Sequence, residues 1–83
     1  MSKTRHVRLF VKPFCGWCHE AAEWLDGRQI PHESIDVIGD PAAMREMVRI
    51  SGQSLAPVID VEGEILADFD VGQLETFWRQ LEL

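Results

Sequence analysis

Cysteine is scarce in this chain, basic side chains are outnumbered and no long apolar run occurs; each shortage removes a class of protein. Only Cys15 and Cys18 occur among 83 residues, whereas a small secreted domain held together by bridges carries about four to eight cysteines spread along its length. A bridge across two intervening residues removes little unfolded-state entropy, so the pair has small value as a staple and chemistry explains it better. Eight Lys plus Arg stand against fourteen Asp plus Glu, a formal net charge of -6, which disfavours nucleic acid and anionic membrane and suits basic or neutral partners. No apolar stretch approaches the roughly 20 residues of a membrane-spanning helix. The apolar residues that go with the basic start Met1 to Arg8 are Val7, Leu9, Phe10 and Val11, too few and too alternating for a signal-peptide core. A cytoplasmic protein is expected. Low-complexity tracts, internal repeats and linkers are also missing, and with 46% hydrophobic and 27% charged residues the composition is globular. Residues 1–83 therefore read as one domain, small enough that only about 60% of the unfolded surface is buried on folding.

The patterning orders the elements. Val7 to Val11 read as a short strand ending before Pro13. Cys18, Ala21, Ala22 and Leu25 recur at i, i+3, i+4 and i+7, one buried helix face, with Gly27 as the expected stop. Glu33 to Val37 alternate, with Ile35 and Val37 on one side, as a second strand. Asp40 and Pro41 form an N-cap and first helical position, Met44, Met47 and Val48 an apolar face, and Gly52 an end. Pro57 to Val61 and Glu64 to Ala67 flank Glu62-Gly63 as a hairpin. Asp70 and Gln73 make an Asp version of the capping box before Val71, Leu74, Phe77, Trp78 and Leu81. The expected fold is α/β, in the order β-α-β-α-β-β-α. Right-handed crossover and hairpin geometry give a four-stranded mixed sheet with three helices covering both faces.

Cys15-Gly16-Trp17-Cys18 opens a helix directly after a strand and loop, a setting that separates a redox dithiol from half of a metal site. The thiolate is the reactive form, and the unpaired amides and macrodipole of a helix start stabilise it at Cys15. Cys18 falls in the core stripe and keeps its proton. Two roles follow: Cys15 attacks a disulfide, and Cys18, one turn on, resolves the mixed disulfide. The bland alternative is an inert local bridge.

Lys12-Pro13-Phe14-Cys15-Gly16-Trp17-Cys18 resembles a glutaredoxin active site, and the element order matches the thioredoxin-like fold. The likeness continues through Ser51-Gly52-Gln53-Ser54-Leu55-Ala56-Pro57-Val58, similar to the family's loop before its cis-proline, and through Asp68-Phe69-Asp70. The resemblance implies a thiol-disulfide oxidoreductase that reduces protein disulfides or glutathione mixed disulfides through Cys15 and Cys18, in electron transport and cell redox homeostasis. It implies a cis Pro57, an Ala56 backbone that pairs with glutathione or an extended peptide, a Lys12 that meets a substrate carboxylate and supports the Cys15 thiolate, and an Asp70 that meets the glutathione amino group. Glutathione is then the expected reductant, not tightly bound, and a monomer is expected. Alternatives remain: a redoxin reduced by thioredoxin reductase, of the type that supplies ribonucleotide reductase, or a dimer sharing an iron-sulfur cluster through Cys15 and glutathione, since two cysteines do not complete a four-thiolate site.

Leu55-Ala56-Pro57 stands where the family usually has Thr-Val-Pro, Ser54 where a basic residue is common, and Asp68 at a customary glycine. The added charge of Asp68 opposes an anionic tripeptide unless Arg45 or Arg49 compensates. Gly16 and Trp17 replace the common proline and tyrosine. Trp17 reads as a platform for a partner, while Trp24 and Trp78 read as packing. Simpler readings stand beside several of these: Lys12 as a solvated lysine, Asp70 as a helix cap, Arg45 and Arg49 as a solvated face, Asp60 as a hydrogen-bonded aspartate. His19 lacks the further ligands of a tetrahedral zinc site, so no metal is expected.

Overall fold

The computed structural model describes residues 6–82; the first five residues of the basic start and Leu83 lie outside the described residues. Three helices and a four-stranded mixed sheet form the predicted α/β arrangement: β1 (Val7–Val11), α1 (Gly16–Gly27), β2 (Glu33–Asp36), α2 (Pro41–Ser51), β3 (Val58–Val61), β4 (Glu64–Ala67) and α3 (Val71–Leu81). The strand order is β2-β1-β3-β4. β1 and β2 are parallel, and β3 runs antiparallel to both β1 and β4. The ends of β1 and β2 and the start of β3 therefore share one end of the sheet. Among the described residues no helix is long and apolar enough to cross a membrane.

Because successive strand residues point to opposite faces, the sheet divides the core in two. Val7 and Leu9 of β1 and Ile59 and Val61 of β3 pack with Ala21 and Leu25 of α1 and Leu74 and Trp78 of α3. Trp24 and Trp78 meet edge to face there, 6.1 Å between centroids. On the other face Phe10 and Val58 pack with Val37 and with Ala43 and Met47 of α2. That second face also carries the charged residues of the inner strands. Arg8 and Asp60 are register partners, and the Arg8 guanidinium donates to Asp60 Oδ2 through both Nε (3.0 Å) and Nη2, and to Glu46 of α2 at 3.2 Å. Asp60 Oδ1 accepts from the Gly63 amide at 2.8 Å. Asp60, 8% exposed, is thus the hydrogen-bonded aspartate of the simpler sequence reading, as a buried carboxylate must be. The pairing with Asp60 raises the Arg8 pKa. Glu46, hydrogen-bonded first by Arg49 and then by Arg8, is held below the usual carboxylate range.

The caps follow local chemistry. Asp40 accepts from the Ala42 and Ala43 amides ahead of Pro41, and Gly52 ends α2 in the left-handed region. Asp70 and Gln73 close a full capping box. Glu62 and Gly63 turn the β3–β4 hairpin with φ of 52° and 96°, the left-handed pair of a type I′ turn. Three boundaries differ from the sequence expectation. Gly27 is the last helical residue, and the left-handed stop is Gln29 (φ 59°): its amide reaches Asp26 O while the Ile30 amide reaches Leu25 O. Ile30 packs against the core, and this apolar contact after the turn anchors the Schellman closure on a non-glycine residue. β2 ends at Asp36, whose side chain accepts from the Ile38 and Gly39 amides and bends the chain, although the Val37 amide still reaches Val11 O. β3 begins at Val58, because Pro57 has no amide to add to the ladder.

Candidate active site

β1 delivers the chain at Val11 to a turn at Pro13 and Phe14, and the turn delivers Cys15 to the start of α1. Phe14 takes a left-handed backbone (φ 58°) with its side chain wholly exposed. Cys15 is the N-cap, extended at φ -106° and ψ 109°, and its Sγ accepts the Cys18 amide at 3.1 Å. Its carbonyl accepts the His19 amide at 3.0 Å, the first bond of the helix. A helix start leaves its first amides without helical partners, and here one of them points at sulfur. Cys18 lies one turn on, 3% exposed, in the apolar stripe with Ala21 and Leu25. The two cysteines are joined as a disulfide, Cα–Cα 5.2 Å, so the second sulfur reaches the first without movement of the backbone. Cys15 is half-buried and Trp17 is exposed beside it.

The loop before β3 is tied to the residue that follows β1. Lys12 Nζ donates to Ser54 O at 2.9 Å. Gln53 braces the loop from within: its Oε1 accepts the Leu55 amide and its Nε2 donates to Leu55 O and Ser51 Oγ. The Ala56–Pro57 peptide bond is cis, Pro57 is buried, and the Pro57 carbonyl accepts the Asp68 amide at 2.8 Å. Neither backbone group of Ala56 has a hydrogen-bond partner among the described residues. Asp68 has φ 53°, a left-handed position where glycine fits without cost and Asp is tolerated; backbone shape thus accounts for its standing at a customary glycine. Asp70 Oδ1 accepts the Gln73 amide at 2.9 Å, so Asp70 is a cap, with its second carboxylate oxygen left over.

A groove of about 560 Å³ opens on Cys15, lined by Val11, Lys12, Phe14, Gly16, Cys18, His19, Ala22 and Ser34. Of the sequence-predicted residues it gathers Lys12, Cys15 and Cys18, whereas Trp17, Ala56, Pro57 and Asp70 lie outside its lining. Sequence reasoning placed Phe14 in the motif and Ala22 in the helix stripe without giving either a role of its own in the site, and gave Ser34 none. A bulky apolar residue inside a turn was a signal for Phe14; Ser34 joins the groove only because β2 lies beside β1. His19 is a solvated residue paired with Glu23 at 3.1 Å. Arg49 is engaged by Glu46. Among the described residues no three His, Cys, Asp or Glu side chains converge as a metal site.

Residues 7–66 match the family model Glutaredoxin. The chain is 29% identical over 69 residues to an uncharacterized glutaredoxin-like 8.6 kDa protein in the rubredoxin operon of Clostridium pasteurianum, covering 83% of this chain and 92% of that one. It is 25% identical over 65 residues to glutaredoxin 3 of Escherichia coli (strain K12), 78% of each chain. The crystal structure of a glutaredoxin from Archaeoglobus fulgidus superposes with a TM-score of 0.78 at 18% identity, over 90% of this chain and 87% of that one, a likeness of fold.

Proposed function

The chain belongs to the glutaredoxin family, and on that premise we propose that it reduces protein disulfides and glutathione mixed disulfides, with Cys15 as nucleophile and Cys18 as resolving thiol. Family membership and the paired cysteines support thiol-disulfide redox chemistry in general terms. The observation that carries the finer reading is the Cys18 amide held on Cys15 Sγ at the helix start, with Cys18 itself buried. The amide and the helix dipole stabilise negative charge on the first sulfur, while burial keeps the second protonated.

In the reduced protein the Cys15 thiolate attacks one sulfur of the substrate disulfide; a new S–S bond forms to Cys15, the substrate bond breaks, and its other sulfur leaves as thiolate. Cys18 then loses its proton to solvent and attacks Cys15 Sγ. The Cys15–Cys18 disulfide forms and the remaining substrate sulfur departs, so two electrons have passed from protein to substrate. An extended substrate would pair with the free backbone groups of Ala56 beside Pro57, and Trp17 would lie against it. Lys12 spends one of three ammonium donors on Ser54, leaving the others for a substrate carboxylate or the thiolate. The spare oxygen of Asp70 suits a substrate ammonium. We place the protein in the cytoplasm as a monomer.

Glutathione is the proposed reductant, with thioredoxin reductase as the second reading; Asp68, a negative charge beside the loop that a glutathione carboxylate would meet, favours that second donor. The test reduces the oxidised protein with glutathione, or with NADPH and thioredoxin reductase, and follows turnover of an added protein disulfide. Cys18→Ser separates the routes: it retains turnover of glutathione mixed disulfides by the one-thiol route and loses protein-disulfide reduction. Inactivity of the wild-type protein with both donors and every disulfide refutes the proposal.

A further inference from the structure

Four of the five large apolar side chains exposed among the described residues, Phe14, Trp17, Ile38 and Leu55, follow the ends of β1 and β2 or precede β3, at the end of the sheet where Cys15 sits. Phe14 is the most telling. Its side chain meets no cover, and its backbone is left-handed, a conformation a bulky L-residue rarely adopts and one that persists at sites of function when the surroundings over-determine it. Ordinary folding physics would place glycine or asparagine there and would not display an aromatic ring to water. Phe14 lines the groove that opens on Cys15, together with Val11, Ala22 and Ser34.

The occupant is constrained by the reaction, since whatever fills this groove during turnover is tied to Cys15 through a disulfide. The groove's lining holds no carboxylate, its lysine gives one donor to Ser54 O and its histidine pairs with Glu23. It therefore presents a mostly apolar wall, Val11, Phe14 and Ala22, beside one cation, Lys12, which keeps donors to spare. Lys12 can meet a carboxylate of glutathione, but that tripeptide carries no apolar side chain to cover the wall, whereas a peptide segment with an apolar side chain does. A disulfide sets the partner's Cα about 5–6 Å from that of Cys15, and an extended chain advances about 3.3–3.6 Å per residue. A side chain one or two positions from the partner's cysteine reaches the groove.

We infer that the groove between Phe14, Ala22 and Ser34 is a side-chain pocket for a protein substrate, and that it selects disulfides in which an apolar residue lies one or two positions from the attacked cysteine. This rests on the thiol-disulfide reading above and specifies its substrate class.

The test mixes reduced wild-type protein with four oxidised probes and reads the second-order rate of protein oxidation by rapid quench. The probes are hydroxyethyl disulfide, oxidised glutathione, and two peptides whose single cysteine is disulfide-linked to 2-mercaptoethanol, identical except for Leu or Ser two positions beyond it. The Leu peptide reacts about tenfold faster than the Ser peptide, in line with burial of one aliphatic side chain, and also faster than oxidised glutathione. Ser34→Trp, which fills the groove from the exposed edge strand, and Phe14→Asn, which removes the wall at a backbone position Asn accepts, each bring the Leu-to-Ser ratio below threefold. A wild-type ratio below threefold, faster reaction with oxidised glutathione, or a ratio unchanged in both variants overturns the inference. Failure with all four probes, hydroxyethyl disulfide included, defeats the redox reading instead.

Discussion

In the proposed mechanism the ionisation of Cys15 is the step on which the chemistry turns, and the helix start would set its size. In a Cys18→Ala variant the second sulfur is gone, but the amide of residue 18 that reaches Cys15 Sγ at 3.1 Å is backbone and stays. A hydrogen bond to an ionised acceptor contributes about 1.5 kcal/mol at a partly exposed sulfur and a helix N-terminus about 0.5 kcal/mol, together about 2 kcal/mol in favour of the thiolate. At pH 6 an ordinary thiol is only about 0.3% ionised, and 2 kcal/mol multiplies that population about thirtyfold. A stabilised thiolate is also a weaker nucleophile, which takes back about fivefold. Alkylation of the variant by iodoacetamide is therefore expected to run about sixfold faster than that of a free cysteine peptide at pH 6. At pH 9, where both thiols are largely ionised, only the nucleophilicity difference is left and Cys15 becomes about fourfold slower. The crossing of the two pH-rate curves is the signature. A Cys15 curve that superimposes on the peptide curve from pH 5 to 9 refutes the reasoning, because the hydrogen bond and dipole would then favour neither protonation state.

Three further outcomes test the frame around the site. Arg8→Ala strands the buried Asp60 carboxylate and is expected to cost about 2–3 kcal/mol in urea unfolding, less than a fully buried pair because Arg8 keeps some solvent; Arg8→Met with Asp60→Leu recovers most of it. Glu46, held below the usual carboxylate range chiefly by Arg49, contributes stability that is present above the ordinary glutamate value of about 4.3 and is lost as pH falls through its lower folded value. Glu46→Gln therefore lowers Tm at pH 6–7, and its gap to wild type closes on acidification; a gap that widens contradicts the pairing. Asp70→Ala removes a capping box for about 1 kcal/mol, whereas Asp70→Asn keeps the cap and is expected to raise KM for a glutathione mixed disulfide at similar kcat; an unchanged KM removes Asp70 from the substrate site.

What the sequence made legible and what it hid divide along the range of the physics. The Cys18, Ala21, Leu25 stripe, the Asp40-Pro41 start and the Asp70/Gln73 box are governed by neighbours within a turn, and each stands where its spacing put it. The dithiol belongs to the same class: an N-cap sulfur and a second sulfur three residues on are a local arrangement, so the cysteine pair is written in four letters. Gln29 in place of Gly27 as the stop of α1 was hidden because the closure depends on Ile30 finding the core. The Arg8–Asp60 pair was hidden because residues 52 apart meet only through strand register. Asp68 was legible as a charge, but its φ of 53° makes it first a backbone residue, its charge carried along by a turn that asks for left-handed geometry. The groove is the extreme case, since Ala22 and Ser34 are ordinary residues of a helix and an edge strand until β2 lies beside β1 and the turn at Phe14 brings a third wall to the same groove. On the proposed function, thiol chemistry is thus encoded locally and partner choice by tertiary contact, which would leave chains with the same pair of cysteines free to differ in the disulfides they select.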